Sequence, residues 1–434
     1  MEKIATCAYC SLGCKVNQYD TEAMRELMER AGYITVPFDD AADVYIINTC
    51  SVTHVSDRKS RQMISRAHTK NPDAVIVVAG CYAKTDPETV SNLSGVNIVL
   101  GTNDRNSVVD VINNYLNDKD KHQIINSASD KSFEELSADE SDKTRAYLKI
   151  QDGCNRFCSY CIIPYARGRI RSRSLESVKS EMRKLADHGY KEIVLTGIHT
   201  MSYGMDLSDN VDLTDAISQA DDIDGIRRIR LGSLEPELMS DKFIDYLASN
   251  SRICRQFHMS LQSGSDTVLR RMNRRYTADR YAEKVEKLRK AIPGCAITTD
   301  IIAGFVGETE QEHRETLEFV KRIGFAKVHV FPYSVRKGTR AAEMPGHIDP
   351  SVKDRRAHEL IELASQYQTQ YMNGFVGQTT EVLAEEPCIG GYRGYTDTYV
   401  DVHADLPADC VNQLVQVEIT GVQDDFLTGK AVKN

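Results

Sequence analysis

GCNRFCSYCIIPYARG, residues 153–168, places Cys154, Cys158 and Cys161 in a C-x3-C-x2-C pattern directly after a predicted strand that ends at Ile150. Three thiolates on one tight loop suit a 4Fe-4S cluster, because they hold three irons and leave the fourth free to bind a substrate atom. A zinc site completed by a distant His or Cys is the alternative. Zinc sites favour paired C-x2-C elements, and no second pair follows at a suitable distance, so the spacing favours the iron-sulfur interpretation.

Around this loop, from residue 144 to residue 372, strand-like and helix-like segments alternate. Such alternation predicts parallel strands joined by helices, in an α/β fold. Six strands predict an open or partial (β/α)6 barrel, whose chemistry lies at the carboxyl ends of the strands. The predicted strands are Tyr147–Ile150, Glu192–Leu195, Ile229–Leu231, Gln256–Leu261, Ala296–Ile302 and Lys327–Phe331.

Residues 1–116 show the same alternation and predict a separate α/β domain built on a parallel sheet. One cysteine follows each of its first three predicted strands: Cys14, Cys50 and Cys81. Loops at the carboxyl ends of parallel strands converge on one crevice, so we predict that these three cysteines meet there. A competing interpretation groups Cys7 and Cys10 with Cys14 in a local C-x2-C-x3-C site. Four further cysteines stand alone and are interpreted as small buried hydrophobes: Cys254, Cys295, Cys388 and Cys410.

Two segments of different composition complete the chain. Residues 117–143 are polar and acidic, which predicts a linker or mobile loop. Residues 373–434 are rich in Val, Thr, Tyr and Gly with period-two alternation, which predicts a small β-barrel. Small β-barrels commonly bind RNA, and Tyr392, Arg393, Tyr395 and Tyr399 suit stacking on unpaired bases. A structural role for the tyrosines stays open.

Two groups of arginines are a second candidate surface for RNA. Arg167, Arg169, Arg171 and Arg173 are spaced by two, so on an extended segment all four would point to one side and follow a phosphate backbone. Four more arginines lie within residues 270–275. Pairing with the protein's own carboxylates is the alternative for both groups. The formal net charge of −9 excludes a general attraction to nucleic acid, so RNA has to be held by local basic surface.

The composition of the chain indicates a multidomain protein and argues against disulfide-bonded and membrane-spanning classes. A chain of 434 residues with 41% hydrophobic content can bury more than one core and predicts about three domains. Twelve cysteines without an export signal argue against a disulfide framework and favour metal sites or reactive thiols. The longest apolar run, Ala74–Ala79, is far shorter than a membrane span. We therefore expect a cytoplasmic protein without a membrane partner.

The loop at residues 153–168 resembles the cluster loop of the radical S-adenosylmethionine methylthiotransferases. Several further segments resemble motifs of the same family: Gly232–Pro236, Leu261–Ser265, Asp300–Thr309, Gly13–Gln18, Asn48–Cys50 and Gly80–Cys81. The last three resemble the elements of an auxiliary cluster, and the tail resembles a TRAM domain. The resemblance covers nearly the whole chain apart from the acidic linker.

The resemblance implies two 4Fe-4S clusters and S-adenosylmethionine. The cluster on Cys154, Cys158 and Cys161 would chelate S-adenosylmethionine and, with an electron from an external donor, produce a 5′-deoxyadenosyl radical. Such a radical is needed because the C2–H bond of adenine is strong and not acidic. A second cluster on Cys14, Cys50 and Cys81 would carry the transferred sulfur. The candidate contacts to S-adenosylmethionine are Tyr160, Thr196, Gly197, Ser233, Glu235 and Gln262, and packing of the loop is the alternative role for Tyr160.

Members of this family modify isopentenyladenosine in tRNA, threonylcarbamoyladenosine in tRNA or an aspartate of a ribosomal protein. The segments GCKVNQY at residues 13–19 and PYARGR at residues 164–169 are most similar to the threonylcarbamoyladenosine branch. That substrate carries a carboxylate, which suits a basic pocket. We therefore predict methylthiolation of N6-threonylcarbamoyladenosine in the anticodon stem-loop of tRNA by a monomeric enzyme. A zinc-stabilised RNA-binding protein without catalysis is the distant alternative.

Overall fold

The computed structural model describes residues 5–118, 123–125, 132–138, 144–407 and 409–432. Its N-terminal part is a parallel sheet of six strands in the order β2-β1-β3-β4-β5-β6. The strands are β1 (Thr6–Ser11), β2 (Ile34–Thr35), β3 (Val44–Thr49), β4 (Val75–Gly80), β5 (Val96–Leu100) and β6 (Gln123–Ile125). The helices are α1 (Lys15–Arg30), α2 (His54–Lys70), α3 (Cys81–Thr85), α4 (Pro87–Ser91) and α5 (Val108–Asn117).

Strands β3 and β4 are buried along their whole length because hydrophobic layers cover both faces of the sheet. Val44 and Ile46 pack in the layer formed with α1 and α5, whereas Tyr45 and Ile47 pack in the layer formed with α2. A continuous apolar run is what a parallel strand covered on both faces requires. The predicted N-terminal parallel sheet is confirmed.

The central part is a partial barrel. Its strands are β7 (Arg145–Asp152), β8 (Arg171–Ser172), β9 (Glu192–Gly197), β10 (Arg228–Leu231), β11 (Gln256–His258), β12 (Ala296–Ala303) and β13 (Lys327–Pro332). Its helices are α6 (Ile163–Arg167), α7 (Leu175–Asp187), α8 (Leu213–Ser218), α9 (Asp241–Ser249), α10 (Asp266–Arg271), α11 (Ala278–Ala291) and α12 (Glu310–Ile323). Six strands run parallel in the order β7-β9-β10-β11-β12-β13, and the link from β10 to β11 consists of single bridges such as Leu234 to Met259. Each of the six corresponds to a predicted strand.

The barrel strands alternate between an apolar outer face and a polar inner face. On β7, Ala146, Leu148 and Ile150 belong to the hydrophobic core that the surrounding helices share. Arg145 and Lys149 occupy the alternate positions and therefore point to the opposite face, the lumen. Helix α1 of the N-terminal part contacts β7 and β9. The lumen is thus lined by charged groups, and the N-terminal part packs against the barrel.

The C-terminal part is a small closed barrel of five strands in the order β14-β15-β16-β18-β17. The strands are β14 (Thr379–Cys388), β15 (Gly391–Thr396), β16 (Asp401–Asp405), β17 (Leu414–Gln423) and β18 (Phe426–Ala431). Two helices precede it, α13 (Arg340–Glu343) and α14 (Pro350–Asn373), and α14 packs on β13. The predicted small C-terminal barrel is confirmed. Among the described residues, no helix is long and apolar enough to cross a membrane.

The described parts of the predicted acidic linker are packed against both neighbouring parts. Residues 123–125 form β6, the edge strand of the N-terminal sheet. Leu136 is buried, and its carbonyl oxygen accepts a hydrogen bond from Arg173 at 2.6 Å. The prediction of a free linker is therefore wrong for residues 132–138, because their polar groups are used in contacts. Residues 119–122, 126–131 and 139–143 lie outside the described residues.

Candidate active site

The loop after β7 carries Cys154, Cys158 and Cys161, here called the loop triad. Its backbone closes on itself, because the Cys154 N–H donates to the Gly168 carbonyl oxygen at 3.0 Å. Gly153 has a φ of 72°, and a Cβ there would lie 1.9 Å from the Arg169 carbonyl oxygen. Only glycine permits this close approach of two backbone segments.

Hydrogen bonds also connect the loop that carries the loop triad to the end of α10. The Ser159 N–H donates to the Met272 carbonyl oxygen at 3.0 Å, and its hydroxyl donates to the Arg271 carbonyl oxygen at 2.8 Å. The Asn273 side chain donates to the Phe157 carbonyl oxygen at 3.0 Å. The cysteines therefore lie on a turn that is held at the carboxyl end of β7 by the end of α10.

The thiols of the loop triad lie close enough for charge on one to raise the pKa of another. Burial, together with charge on Cys158, raises the pKa of Cys161 to about 12. Burial also raises the pKa of Cys154, and charge on Cys158 adds to this effect. Thiols whose charges repel each other in a buried turn form a donor set that a cationic iron cluster would stabilise. The residues present therefore fit such a cluster.

The second group, Cys14, Cys50 and Cys81, is here called the sheet triad and follows β1, β3 and β4. Cys50 and Cys81 are buried, whereas Cys14 is exposed. Burial, followed by charge on Cys81 and Cys14, raises the pKa of Cys50 to about 12. A Cβ on Gly13, whose φ is 101°, would lie 2.8 Å from the Cys50 sulfur. Three separate loops thus bring these thiols together, as the topology of a parallel sheet predicts.

Buried amides hold the loops of the sheet triad in place. The Asn17 side chain donates to the Leu12 carbonyl oxygen at 2.7 Å and to the Thr49 carbonyl oxygen at 2.9 Å. The Asn48 side chain donates to the Asn17 carbonyl oxygen at 2.9 Å. An amide suits this role because it offers two donors and an acceptor. The asparagines next to Cys14 and Cys50 therefore connect the first loop to the second.

Cys7 and Cys10 do not form a local site with Cys14. Both lie on β1, where residues three apart point to opposite faces. Cys7 packs in the layer with α1, and Cys10 packs in the layer with α2. In the ranges that the structure describes, no three His, Cys, Asp or Glu side chains are grouped closely enough to hold a single metal ion. A cluster differs from a single ion because it distributes its thiolates over several irons.

Arg274, one of the four arginines of residues 270–275 predicted as a candidate RNA surface, faces the loop triad instead. Its Nη1 lies 3.4 Å from the Cys158 sulfur, and its Nη2 lies 2.9 Å from a carboxylate oxygen of Glu235. Burial alone would raise the pKa of Glu235, but the hydrogen bond with His199 and the charge of Arg274 hold it below its usual value. Glu235, a predicted cofactor contact, is therefore the counter-ion of an arginine beside Cys158.

The other predicted cofactor contacts lie at strand ends on the same side as the loop triad: Thr196, Gly197, Ser233 and Gln262. Gln262 has a φ of 71°, which is unusual for a residue with a side chain, and its carbonyl oxygen accepts from the Ile302 N–H. The Tyr160 ring packs edge-on against Phe305, with ring centroids 6.3 Å apart. This contact favours the packing role for Tyr160.

Three of the four arginines predicted to follow a phosphate backbone are buried: Arg167, Arg171 and Arg173. Arg167 ends α6 and pairs with Asp152 at 3.0 Å and Asp20 at 3.2 Å. The prediction of a phosphate track is wrong for these three, because their guanidinium groups are desolvated and neutralised by carboxylates. Arg169 is exposed and lies 4.6 Å from the ring of Phe157.

A buried ion network joins the N-terminal sheet to the barrel next to both triads. Asp20 on α1 accepts hydrogen bonds from Lys149 at 2.8 Å and from Arg167 at 3.2 Å, and it forms an ion pair with Arg105 at 2.9 Å. The Arg167 charge also reaches Cys81, where it opposes the effect of burial on the pKa of that thiol. Helix α3, which begins at Cys81, packs against α6. Both triads therefore belong to the same region between the sheet and the barrel.

Replacing Asp20 with alanine should lower the free energy of unfolding by about 3–5 kcal/mol, because it leaves buried cations without their counter-ion. Chemical unfolding followed by circular dichroism measures this loss. Glu22→Ala on the same helix removes a partly exposed pair with Arg25 and should cost about 0–1 kcal/mol. Equal losses in both variants would contradict a central role for the network.

The C-terminal residues predicted to bind RNA are partly engaged in contacts within the protein. The Tyr395 ring stacks on Tyr399 with centroids 4.9 Å apart, and the Arg145 guanidinium lies 4.6 Å from the Tyr395 centroid. Arg393 pairs with Asp401 at 2.7 Å. Tyr392 is half-buried and packs on the hydrophobic core of this barrel. The structural alternative is therefore supported for Tyr395, which joins the C-terminal barrel to β7.

Comparison with known proteins identifies the family. Residues 148–320 match the model of the Radical SAM superfamily, and residues 6–101 match that of Uncharacterized protein family UPF0004. The chain is 44% identical, over 99% of its length, to threonylcarbamoyladenosine tRNA methylthiotransferase MtaB of Bacillus subtilis, of which 97% is covered. The chain belongs to the radical SAM methylthiotransferase family. It is therefore an enzyme that transfers a methylthio group by radical chemistry, as the motifs predict.

Other methylthiotransferases and solved structures agree with this membership. The enzyme of the same name from Thermotoga maritima is 39% identical over 90% of the chain and is itself 89% covered. A tRNA-2-methylthio-N(6)-dimethylallyladenosine synthase of Clostridium botulinum is 35% identical over 97% of the chain and is 95% covered. The radical S-adenosylmethionine methyltransferase TsrM of Kitasatospora setae, solved with cobalamin and a [4Fe-4S] cluster, has a TM-score of 0.58 at 14% identity. The aligned parts cover 78% of this chain and 77% of that one, which shows a shared fold.

Membership of the radical SAM methylthiotransferase family implies a 4Fe-4S cluster and S-adenosylmethionine. The loop triad lies within the matched residues 148–320, and the sheet triad lies within residues 6–101. Each triad therefore belongs to a different matched segment of the chain.

Proposed function

We propose that this radical SAM methylthiotransferase converts N6-threonylcarbamoyladenosine, 3′ of the tRNA anticodon, to its 2-methylthio derivative. The observation that carries the proposal is similarity over the whole chain, both triads included, to enzymes named for that substrate. Identity to a relative named for dimethylallyladenosine is lower, at 35% against 44%. The carboxylate of the threonyl group also suits a basic pocket better than a prenyl group does.

We propose that the loop triad binds the 4Fe-4S cluster that meets S-adenosylmethionine, and that the sheet triad binds a second cluster. When bound, these groups supply a 5′-deoxyadenosyl radical and the sulfur that is transferred. The chain's own residues position them and exclude water. Arg274, held by Glu235, restrains the Cys158 side of the loop triad. The candidate S-adenosylmethionine contacts Thr196, Gly197, Ser233 and Gln262 follow from their place at the strand ends.

The outer face of α2 fits the phosphate backbone of tRNA better than the buried arginines do. Five exposed cations lie on this helix: Arg58, Lys59, Arg61, Arg66 and Lys70. The helix has one carboxylate, Asp57, which is buried and pairs with Arg336 at 2.6 Å. In the described part of the chain, Arg66 alone among the five has a carboxylate within 4.0 Å, that of Asp39. Helix α2 begins four residues after Cys50, so RNA along this face would lead to the sheet triad.

Other helices neutralise their exposed cations with nearby carboxylates. Lys287 on α11 pairs with Glu283 at 3.3 Å, and Lys321 on α12 pairs with Glu318 at 2.7 Å. Among the described residues, the exposed cations of α2 other than Arg66 lack such partners, which favours an external anion over an ordinary solvated surface. Arg169, Tyr392 and Arg393 stay candidate RNA contacts in addition to this face.

Reversing the charges of Arg58 and Lys59 to Glu should weaken binding of a tRNA anticodon stem-loop at least about tenfold and reduce the salt dependence of the binding constant by about two contacts. Fluorescence anisotropy at several salt concentrations measures both quantities. Lys321→Glu with Arg322→Glu makes the same change in net charge on α12 and serves as the control. An equal loss in the control would mean that net charge, rather than the α2 face, governs binding.

Nucleoside analysis of tRNA tests the proposed reaction. In cells without the gene, 2-methylthio-N6-threonylcarbamoyladenosine should disappear from digested tRNA, and the unmodified precursor should accumulate. Persistence of the product at its normal level would contradict the proposal. Loss of 2-methylthio-isopentenyladenosine, or of methylthio-aspartate in a ribosomal protein, would instead assign one of the alternative reactions.

Metal analysis separates the proposed enzyme from a zinc-stabilised RNA-binding protein. Anaerobically purified protein should contain about eight irons per chain, as two cubane clusters require. Zinc without acid-labile sulfide would favour the binding protein. On the grounds of the required chemistry and of the composition, we also propose an external electron donor, a monomeric state and a cytoplasmic location.

A further inference from the structure

Lys15 is a half-buried cation next to the sheet triad, and no carboxylate of the described residues pairs with it. It is the first residue of α1 and directly follows Cys14. Its ammonium group lies 5.7 Å from the centroid of the Tyr399 ring. The guanidinium groups of Arg230 and Arg145 lie over the same ring, at 4.6 Å and 4.9 Å from its centroid. Three cations from the N-terminal part and the barrel therefore surround one tyrosine of the C-terminal barrel.

The carboxylates near these cations are already paired with arginines. Glu192 accepts a hydrogen bond from Arg230 at 2.6 Å, and Glu385 forms an ion pair with Arg145 at 2.6 Å. Of the carboxylates that the structure describes, none lies within 4.0 Å of the Lys15 nitrogen. A cation withdrawn from water gains more from an anionic ligand than an exposed one does. The surroundings of the Lys15 ammonium group therefore favour an anion.

The three cations around Tyr399 also affect the pKa of its phenol. Burial alone would raise the pKa of this phenol, but the charges of Arg145, Lys15 and Arg230 hold it below its usual value. Negative charge is thus stabilised where these three cations converge. The hydroxyl of Tyr399 is the protein's own group at this position, and a ligand carboxylate would meet the same potential.

Lys15 also lies close enough to β13 for its charge to act on that strand, at the lumen where the substrate base would bind. Lys15 is half-buried, and its charge, after burial, contributes to lowering the pKa of His329 on β13. His329 and Phe331 are exposed along the same strand, so the lumen is open at this side. Lys15 adjoins Cys14, so a base presented to the sheet triad comes within reach of its side chain.

We propose that Lys15 forms a carboxylate-binding subsite that recognises the threonyl carboxylate of the modified base. The proposal rests on the proposed function. On adenine, C2 and C6 flank N1, and C6 carries N6. A base whose C2 faces the sheet triad therefore carries its N6 substituent several bonds away, a span that a lysine side chain covers. A prenyl substituent would leave the ammonium group unpaired, whereas the threonyl carboxylate neutralises it. The subsite therefore selects the acidic substrate and disfavours the apolar one.

Binding of two stem-loop RNAs tests this subsite. One RNA carries N6-threonylcarbamoyladenosine, and the other carries its methyl ester, which has the same shape without the charge. The full-length protein with its clusters reconstituted should bind the acid about tenfold more tightly than the ester. Lys15→Gln should bind both RNAs equally, and Lys15→Arg should keep most of the preference.

Lys327→Gln is the matched control, because Lys327 is an exposed lysine on β13 whose charge also acts on His329. The control should keep the tenfold preference. Equal binding of acid and ester by the wild-type protein would by itself overturn the proposal. An unchanged preference for the acid in Lys15→Gln, or a loss of this preference in Lys327→Gln as large as in Lys15→Gln, would also overturn it. Thermal unfolding and iron content, compared with wild type, show whether Lys15→Gln is folded and loaded.

Product analysis in the same samples separates the two levels of inference. If the wild-type protein forms no 2-methylthio product on the acid RNA, the proposed function fails. If it forms that product while Lys15→Gln still prefers the acid over the ester, only the subsite assignment fails.

Discussion

Replacing Cys158 with alanine should abolish the formation of 5′-deoxyadenosine from S-adenosylmethionine. Cys158 is the central residue of the loop triad, and its sulfur lies 3.4 Å from Nη1 of Arg274. With two of its three thiolates, the loop no longer provides the donor set proposed for the 4Fe-4S cluster. Iron content should fall by roughly half, because the sheet triad is unchanged. Anaerobic reconstitution followed by chromatography of the products measures both quantities.

Cys295→Ala is the matched control for this substitution. Cys295 is also a buried thiol of the barrel, in the hydrophobic core beside the start of β12, and burial raises its pKa to about 11. Its loss should leave iron content and cleavage of S-adenosylmethionine at the wild-type level. Cleavage at the wild-type rate by Cys158→Ala would show that Cys158 is not a ligand.

The elements that carry both triads could be predicted from the sequence because burial leaves a local signal. A parallel strand covered on both faces needs a continuous apolar run, and β3 and β4 are such runs. Because the carboxyl ends of parallel strands converge, the positions of Cys50 and Cys81 after these strands predict that the two thiols meet. The hydrogen bonds of Asn17 and Asn48 that hold the loops follow only from the structure.

Two wrong predictions share a physical cause at Arg173. The acidic composition of residues 117–143 suggested a linker or mobile loop, and the arginines of residues 167–173 suggested an exposed surface. In the structure Glu135 pairs with Arg173 at 3.3 Å, and the Leu136 carbonyl oxygen accepts from the same guanidinium group, whereas Arg167 is neutralised by Asp152 and Asp20. A segment that is too polar to be buried alone is buried when groups elsewhere in the fold satisfy its charge. Local sequence cannot show such a pairing across the fold.

Helix α2 and Lys15 illustrate a second limit of the sequence. Lys and Arg make up 54 residues of the chain, and most of the charged groups have nothing to distinguish them locally. What distinguishes Arg58, Lys59 and Lys15 is the absence of carboxylate partners among the described residues. That property depends on which carboxylates the fold brings near. It becomes visible only when the neighbours of each cation are known.

Replacing Cys50 with alanine should stop formation of the methylthio product while S-adenosylmethionine is still cleaved. Cys50 belongs to the sheet triad, where its sulfur is buried against Gly13. The loop triad is held by α10 and by residues around Arg274, and none of its hydrogen bonds given above involves Cys50. Removing one thiol therefore disables the proposed sulfur-donating site and leaves the radical-generating site intact. Mass spectrometry of the RNA and of 5′-deoxyadenosine in one reaction measures both outcomes.

Cys10→Ala is the matched control, because Cys10 is a partly buried thiol on β1 that packs in the layer with α2. It should keep both activities. Full methylthio product from Cys50→Ala would place the sulfur-donating site elsewhere, and Cys7 and Cys10 would then be the first candidates in spite of their opposite orientation. The products that each variant fails to form assign the two triads. Cys158→Ala should form neither 5′-deoxyadenosine nor the methylthio product, whereas Cys50→Ala should lack only the methylthio product. Because radical formation has to precede sulfur insertion, the reverse pattern would contradict the assignment of both triads at once.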